Sequence, residues 1–245
     1  MVCLLGQSVS TPAAAADDGK RLKNPEDPWE GLNRKIFAFN DTFDRYLYLP
    51  IASAYRFVMP TPLDQGVTNF FTNLLMPVTI ANDLFQLKFK AFGSDFGRFF
   101  INTTVGVLGF VDVATRVGLE QQREDFGQTL GYWGVHSGPY IVIPFLAGRT
   151  VRDALGMVPD WYLAPQSAIN NSAVRNGLLA VDLIDTRADL IPAEQLITGD
   201  RYIFLRDAYL QQRKFLVSDG EVVDDFGDEH GGDGFDDYDA GGDDW

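Results

Sequence analysis

Apolar residues recur along most of the chain with the spacing of one helix face. Stripes with an apolar side chain every three or four positions begin at residues 29, 61, 78, 94, 150, 171 and 200. Pro50 interrupts or kinks the first stripe, and Pro77 opens a new segment. The pattern predicts five to seven helices, among them helices over 171–190 and 200–217.

Polar residues at the start of several stripes are candidate helix caps. Thr61 precedes Pro62, a residue favoured at the first helical position, so Thr61 is predicted to be an N-cap. Ser94 is predicted to cap a helix that carries several phenylalanines. Thr150 and Asp153 have the spacing of a capping box. These residues fix where three helices are expected to begin.

Residues 104–147 depart from the helical pattern. The part from 104 to 119 is apolar and β-branched and is broken by three glycines, and the sequence FGQTLGYWGVHSGPYIVIPF at 126–145 has the same character. YIVIPF has the composition of a buried strand, so a short hairpin is compatible with the sequence. Two explanations remain open: a tightly packed core, or the wall of a lipid pathway, where non-helical backbone is tolerated at membrane depth.

The composition adds a surplus of apolar surface to this pattern. The 245 residues include 19 Phe, nine Tyr and four Trp, and 46% of the chain is hydrophobic. These side chains could form an ordinary core, or they could face lipid from amphipathic helices. The chain is long enough for one good core.

The net charge of −14 comes mainly from the C-terminal tail. Residues 218–245 contain 12 acidic groups and no Lys or Arg, so the rest of the chain is nearly neutral. A basic face for nucleic acid is therefore not evident. The tail is predicted to be disordered and either solubilising or in contact with a basic partner. Weak calcium binding by its carboxylates lacks the ligand periodicity of known calcium loops.

Motifs for catalysis are missing from the sequence. The two histidines, His136 and His230, do not form a metal-ligand spacing with the one cysteine. No nucleophile elbow, phosphate-binding loop or dinucleotide fingerprint is present. Asp112 lies within an apolar run and would need a partner if buried, which Arg98 or Arg116 could supply. We therefore expect neither an enzyme nor a cofactor or metal site.

Several segments together resemble the MlaA (VacJ) family. They are NPEDPWEGLNRKIFAFND, NFFTNLLMPVTIANDLFQ, GRFFINTTVGVLGFVDVAT and EDFGQTLGYWGVHSGPYIVIPFLAGRTVRD, and the resemblance covers roughly residues 24–217 in order. It implies an all-α fold, a ring of helices with a central amphipathic channel and an apolar, glycine-rich hairpin. It also implies a location in the periplasmic leaflet of the outer membrane of a Gram-negative bacterium.

The function implied by the resemblance is phospholipid transport without catalysis. Family members remove misplaced phospholipids from the outer leaflet, associate with trimeric porins and pass lipid to a soluble periplasmic carrier resembling MlaC. No cofactor is implied. The alternative function is that of a porin-associated structural envelope protein through which no lipid passes.

The resemblance also suggests site residues. The hairpin is assigned to residues 104–119, with a channel-gating role for Gly106, Gly109, Phe110 and Asp112. The candidate polar residues of the channel lumen are Asn33, Arg34, Asn40, Asn69, Asn73, Asn82, Arg98 and Asn102. The competing interpretation makes these eight residues caps and buried hydrogen-bond partners.

Four regions are predicted along the chain. Residues 1–16 are interpreted as the remnant of an export signal, because a run of alanines precedes two aspartates, or else as a leader without a targeting role. Residues 17–28 form a linker, 29–217 the helical domain and 218–245 the acidic tail. Val2 is not the small residue that a lipobox needs before its cysteine, so lipid attachment at Cys3 is not supported.

Overall fold

The computed structural model describes residues 24–221, and they are mostly helical. The predicted export signal (1–16), most of the linker (17–28) and the tail beyond 221 lie outside the described residues. The helices are α1 (Glu30–Phe43), α2 (Leu49–Val58), α3 (Thr61–Phe85), α4 (Phe89–Thr104), α5 (Val113–Arg116), α6 (Phe126–Tyr132), α7 (Val151–Leu163), α8 (Ser172–Leu190) and α9 (Arg201–Val217). The strands are β1 (Tyr140–Val142) and β2 (Gly148–Thr150). The predicted all-α fold class is confirmed.

Two prolines that were expected to end helices lie within continuous helical segments. A π-helical turn, Asp44–Tyr48, joins α1 to α2, and Pro50 occupies the first turn of α2, where its missing N–H costs little. Pro77 lies inside α3, so the prediction that it opens a new segment is wrong. Because α3 packs against α4, α6, α7 and α8, tertiary contacts along its length offset the lost backbone hydrogen bond.

The predicted caps were correct in one case of three. Thr150 accepts a hydrogen bond from the backbone N–H of Asp153 and caps α7. Thr61 is the first residue of α3, with Pro60 at the N-cap. Ser94 lies inside α4, which begins five residues earlier because the chain turns sharply at Leu87, a non-glycine residue with φ of +60°.

The short hairpin that the sequence allowed is present. Strand β1 pairs antiparallel with β2, and Tyr140 lies opposite Thr150. Tyr140 and Val142 are buried against Tyr202 and Leu210 of α9. These four residues form a small apolar core.

Among the described residues, buried side chains are more often polar than apolar, which is the reverse of the usual distribution in a water-soluble domain. Twenty polar or charged side chains are buried, compared with 11 apolar ones, most of which are outside any large cluster. On α8, Val174 and Val181 of the predicted apolar stripe are 51% and 42% exposed, whereas Asp185 is 2% exposed. The sequence located the stripe correctly, but the structure turns it outward, as expected for helices that face lipid.

Candidate functional site

A cavity with a volume of about 750 Å³ lies between α3, α6, α7 and α8. The turn at Pro165–Ala168 closes one side of it. Most of the exposed wall is apolar, from side chains such as Phe71, Trp161 and Leu190, and hydroxyl, amide and carboxylate groups lie among them. The polar lining residues are Thr68, Thr72, Thr79, Gln121, Arg123, Glu124, Asp125, Gln128, Asp160, Gln166, Asp182, Asp185, Thr186 and Asp189.

Helix α8 supplies an acidic face to this cavity. Asp182, Asp185 and Asp189 are three and four positions apart, so they project from one side of the helix. Asp185 accepts hydrogen bonds from the hydroxyls of Tyr55 at 2.7 Å and Thr68 at 2.9 Å. Burial, followed by the charge of Asp185, raises the pKa of Asp182 and of Asp189 above the usual value.

The three aspartates of α8 lack a cationic partner. Among the described residues, no Lys or Arg lies within salt-bridge distance of them. Two more distant arginines act on these aspartates electrostatically. Arg123 opposes the rise in the pKa of Asp182, and Arg56 opposes the rise in the pKa of Asp189. This face of the cavity is therefore electronegative and uncompensated.

The carboxylates of the opposite wall are compensated by the protein itself. Glu124 accepts from Lys88 at 3.0 Å and from Gln86 at 2.9 Å. Asp125 forms a two-point ion pair with Arg213, at 2.6 and 2.9 Å. Burial alone would raise the pKa of Asp125, but the Arg213 guanidinium holds it below the usual value. These groups consequently build the wall and leave little charge for a ligand.

Asp160 and Arg123 complete the charged lining. Asp160 accepts from the backbone N–H of Phe126 and from Asn82, and burial raises its pKa. Arg123 is the one basic residue in the cavity lining and donates to the hydroxyl of Thr72 at 3.1 Å. The cavity thus pairs an acidic face on α8 with a single guanidinium.

The glycine-rich segment that was assigned to the hairpin forms a tight loop between α4 and α5. Asp112 caps α5, as its side chain accepts from the N–H of Thr115. Arg98 forms a salt bridge with Asp112 at 3.1 Å, which confirms Arg98 rather than Arg116 as the partner. Asn102 donates to the same carboxylate and accepts from the N–H groups of two residues of α5.

Two asparagines of α3 hold the other side of this loop. Asn73 donates to the Thr103 hydroxyl at 2.9 Å, and Asn69 donates to the carbonyl of Phe110 at 3.4 Å. Gly109 has φ of +95°, and a Cβ there would lie 2.4 Å from the Asn73 side chain. Only glycine satisfies both the backbone conformation and the close approach. A side chain at Gly106 would collide with the carbonyl of Val111.

The loop presents apolar side chains to its surroundings. Val107 is 66% exposed and Leu108 60%, and both have positive φ without being glycine. Phe110 is partly exposed and packs against the ring of Phe70 on α3. The loop therefore has an anchored polar base and an apolar tip with a strained backbone.

The other predicted lumen residues lie elsewhere. Asn33 is buried between α1 and β1, where it bonds to Asp27, Tyr140 and Val142. Asn40 bonds to the backbone of the turn at 143–146.

Two further candidates are also bound by their neighbours. Arg34 pairs with Glu30 and Asp200. Asn82 bridges α3 to Asp160 and Thr129 at the cavity wall.

None of the eight predicted lumen residues is part of the lining described above. Each makes the hydrogen bonds expected of a cap or a buried partner, and Asn69, Asn73, Arg98, Asn102 and Asp112 converge on the loop. The cavity residues that the sequence analysis missed are the aspartates of α8. Their spacing was a usable signal, because aspartates three and four positions apart lie on one side of a helix.

Residues 24–221 contain neither a candidate membrane-spanning helix nor a candidate metal site. No helix in this part of the chain is long and apolar enough to cross a membrane. No group of three or more His, Cys, Asp or Glu side chains there could hold a metal ion.

Comparison with known proteins gave consistent matches. The family model described as MlaA lipoprotein matches residues 25–216. A protein of Escherichia coli (strain K12) named intermembrane phospholipid transport system lipoprotein MlaA is 35% identical over 220 residues, 84% of either chain. The Haemophilus influenzae protein of the same name is 32% identical and covers 91% of this chain and 92% of its own.

A solved structure gives the same result at the level of the fold. The chain from work described as the structural basis for maintenance of bacterial outer membrane lipid asymmetry superposes with a TM-score of 0.69. It is 35% identical, and the match covers 78% of this chain and 98% of the solved one.

Proposed function

This chain belongs to the MlaA lipoprotein family, and we propose that it works in phospholipid transport at the outer membrane of a Gram-negative bacterium. In this proposal, phospholipid headgroups pass from the outer leaflet through the cavity between α3, α7 and α8. The acyl chains stay in contact with the apolar outer faces of the helices. The protein then passes the lipid to a soluble periplasmic carrier and contributes to lipid asymmetry.

The observation that carries the proposal is an amphipathic cavity, in which carboxylates and hydroxyls lie among apolar side chains, enclosed by helices with exposed apolar outer faces. Moving a charged headgroup through hydrocarbon without polar partners is very costly. Buried carboxylates and hydroxyls in the cavity replace part of the headgroup's hydration, while exposed residues such as Phe57 and Phe100 (92% and 61% exposed) suit contact with lipid. A water-soluble protein of this size would bury these apolar side chains instead.

The finer parts of the proposal follow from the family. We assign the gating role to the loop that contains Gly106, Gly109, Phe110 and Asp112, since its anchored base and exposed apolar tip suit a movable element. A trimeric porin and a carrier resembling MlaC are the proposed partners. The working unit is proposed to be the helical domain 29–217, in the periplasmic leaflet.

The proposal is tested by deleting the gene and measuring phospholipid exposed on the cell surface. The deletion strain is complemented with the wild type, with Thr186→Trp and with Val181→Trp. Thr186 lines the cavity, whereas Val181 lies on the outward face of the same helix. We expect Trp at 186 to narrow the cavity and impair complementation, and Trp at 181 to leave complementation intact.

Equal protein levels of the two variants in the membrane fraction are the control for folding and export. Full complementation by Thr186→Trp would refute passage through this cavity. The deletion is made in a strain without a redundant transport system. If it does not change the amount of surface phospholipid, the result supports the alternative function, a porin-associated structural protein.

A further inference from the structure

The charged groups in the cavity wall indicate which lipid headgroups the cavity can bind. The uncompensated groups of the wall are hydrogen-bond acceptors: Asp182, Asp185 and Asp189 lie on one face of α8 without a salt-bridge partner among the described residues. An electronegative face of this kind favours a cation and disfavours an anion. A headgroup that carries only negative charge would be repelled from α8.

Gln166 gives an independent indication from a different element. It belongs to the turn at Pro165–Ala168, is only 2% exposed and lines the same cavity. Its side-chain oxygen has no hydrogen-bond partner among the described residues. Since buried polar atoms are nearly always paired, this acceptor can receive a donor from water or from a polar group that enters the cavity.

The single cation of the lining supplies the complementary half of a zwitterion. Arg123 lines the same cavity as Asp182 and donates to the hydroxyl of Thr72 at 3.1 Å. A guanidinium binds phosphate oxygens through two parallel N–H donors. The wall therefore places a phosphate-binding group beside an ammonium-binding face, which matches a headgroup with both charges.

We infer that the cavity selects phospholipids with a primary ammonium headgroup, of the ethanolamine type, over anionic lipids of the glycerol type. This inference rests on the proposed function and names its substrate class. The ammonium contacts Asp182 and Asp189 and, once the Gln166 side chain turns into the cavity, its amide oxygen, while the phosphate contacts Arg123. A primary ammonium offers three N–H donors, whereas a quaternary ammonium offers none.

The test uses a photo-crosslinking amino acid at two positions of the full-length protein. One replaces Leu179, which lines the cavity, and the other replaces Val181, which is exposed on the outer face. Each protein is incubated with vesicles of equimolar phosphatidylethanolamine and phosphatidylglycerol with the same acyl chains. After irradiation, mass spectrometry identifies the attached lipid, and position 181 reports the surrounding bilayer.

We expect the ratio of ethanolamine to glycerol lipid at position 179 to exceed that at 181 about tenfold, because like charges in a partly desolvated site are strongly disfavoured. D182N/D189N should reduce the enrichment to near one. Q166L should reduce it in part. The matched control E26Q/D207N removes two acidic charges outside the cavity lining and should keep the full enrichment.

The outcomes separate this inference from the proposed function. Equal ratios at 179 and 181, or an enrichment that D182N/D189N leaves unchanged, would overturn the selectivity while lipid passage stands. Equal enrichment of phosphatidylcholine in a second vesicle set would overturn recognition of the primary ammonium. Lipid attached at 181 but none at 179 would refute the proposed function as well.

Discussion

Asn33 allows the cap interpretation of the predicted lumen residues to be tested in energetic terms. It is 2% exposed, donates to Asp27 at 2.8 Å and to the Tyr140 carbonyl at 2.9 Å, and accepts from the N–H of Val142 at 3.0 Å. In Asn33→Ala these groups lose their partner without access to water. Each buried group left unsatisfied costs about 1–3 kcal/mol, so we expect a total loss of about 3–4 kcal/mol.

Asn40 provides the matched comparison on the same helix. It also makes three hydrogen bonds, at 2.8 to 2.9 Å. All three are to backbone groups of a turn that water reaches. Asn40→Ala should therefore cost only about 1 kcal/mol, because water replaces the lost partner.

Thermal unfolding in mild detergent measures the difference. For a chain of this size 1 kcal/mol corresponds to a shift of about 2–4 °C in Tm, so we expect a decrease of about 10 °C for Asn33→Ala and about 3 °C for Asn40→Ala. Equal decreases for the two variants would refute the reasoning, since hydrogen-bond number and not burial would then set the cost.

Three further predictions concern other parts of the structure. Arg213→Gln should lower the stability by about 2–3 kcal/mol, since it leaves the half-buried Asp125 without a cation and the buried Asp153 with Arg152 alone, and Arg213→Lys should recover only part of the loss in Tm; full recovery would argue against two-point pairing. Burial, followed by the charge of Asp95, raises the pKa of Asp83 to about 7, and burial raises that of Asp95 to about 6. The folded state therefore holds protons that the unfolded chain releases near pH 4, and the free energy of unfolding should fall as the pH rises from about 4 to 7. A Tm series should show this slope in the wild type and a smaller slope in Asp83→Asn, where Asp95 still contributes; a slope of unchanged size in the variant would contradict the assignment. Gly109→Ala should lower the free energy of unfolding by about 2 kcal/mol more than Gly118→Ala. Both positions have positive φ, but only a Cβ at Gly109 would meet a neighbouring side chain. Equal Tm values for the two variants would exclude the close contact as the cause.

Local sequence signals determined several elements. Helices were predicted over 171–190 and 200–217, and α8 and α9 occupy nearly these ranges, with Asn171 and Asp200 as N-caps. Thr150 was identified as a cap from its spacing alone. These features depend on contacts within a few residues along the chain, and such contacts are encoded in the local pattern.

Tertiary packing decided the features that the local pattern left open. Pro77 is tolerated inside α3 because the helix is packed along its length, and Arg98 rather than Arg116 pairs with Asp112 because of how α4 meets the loop.

The sequence by itself determined the bounds of α8 and α9 to within one residue and located the apolar stripe of α8. It did not determine which face is turned inward, because the periodicity of a helix is the same whether its apolar stripe meets a core or a lipid. Only the tertiary structure showed that Asp182, Asp185 and Asp189 face a cavity while Val181 faces outward.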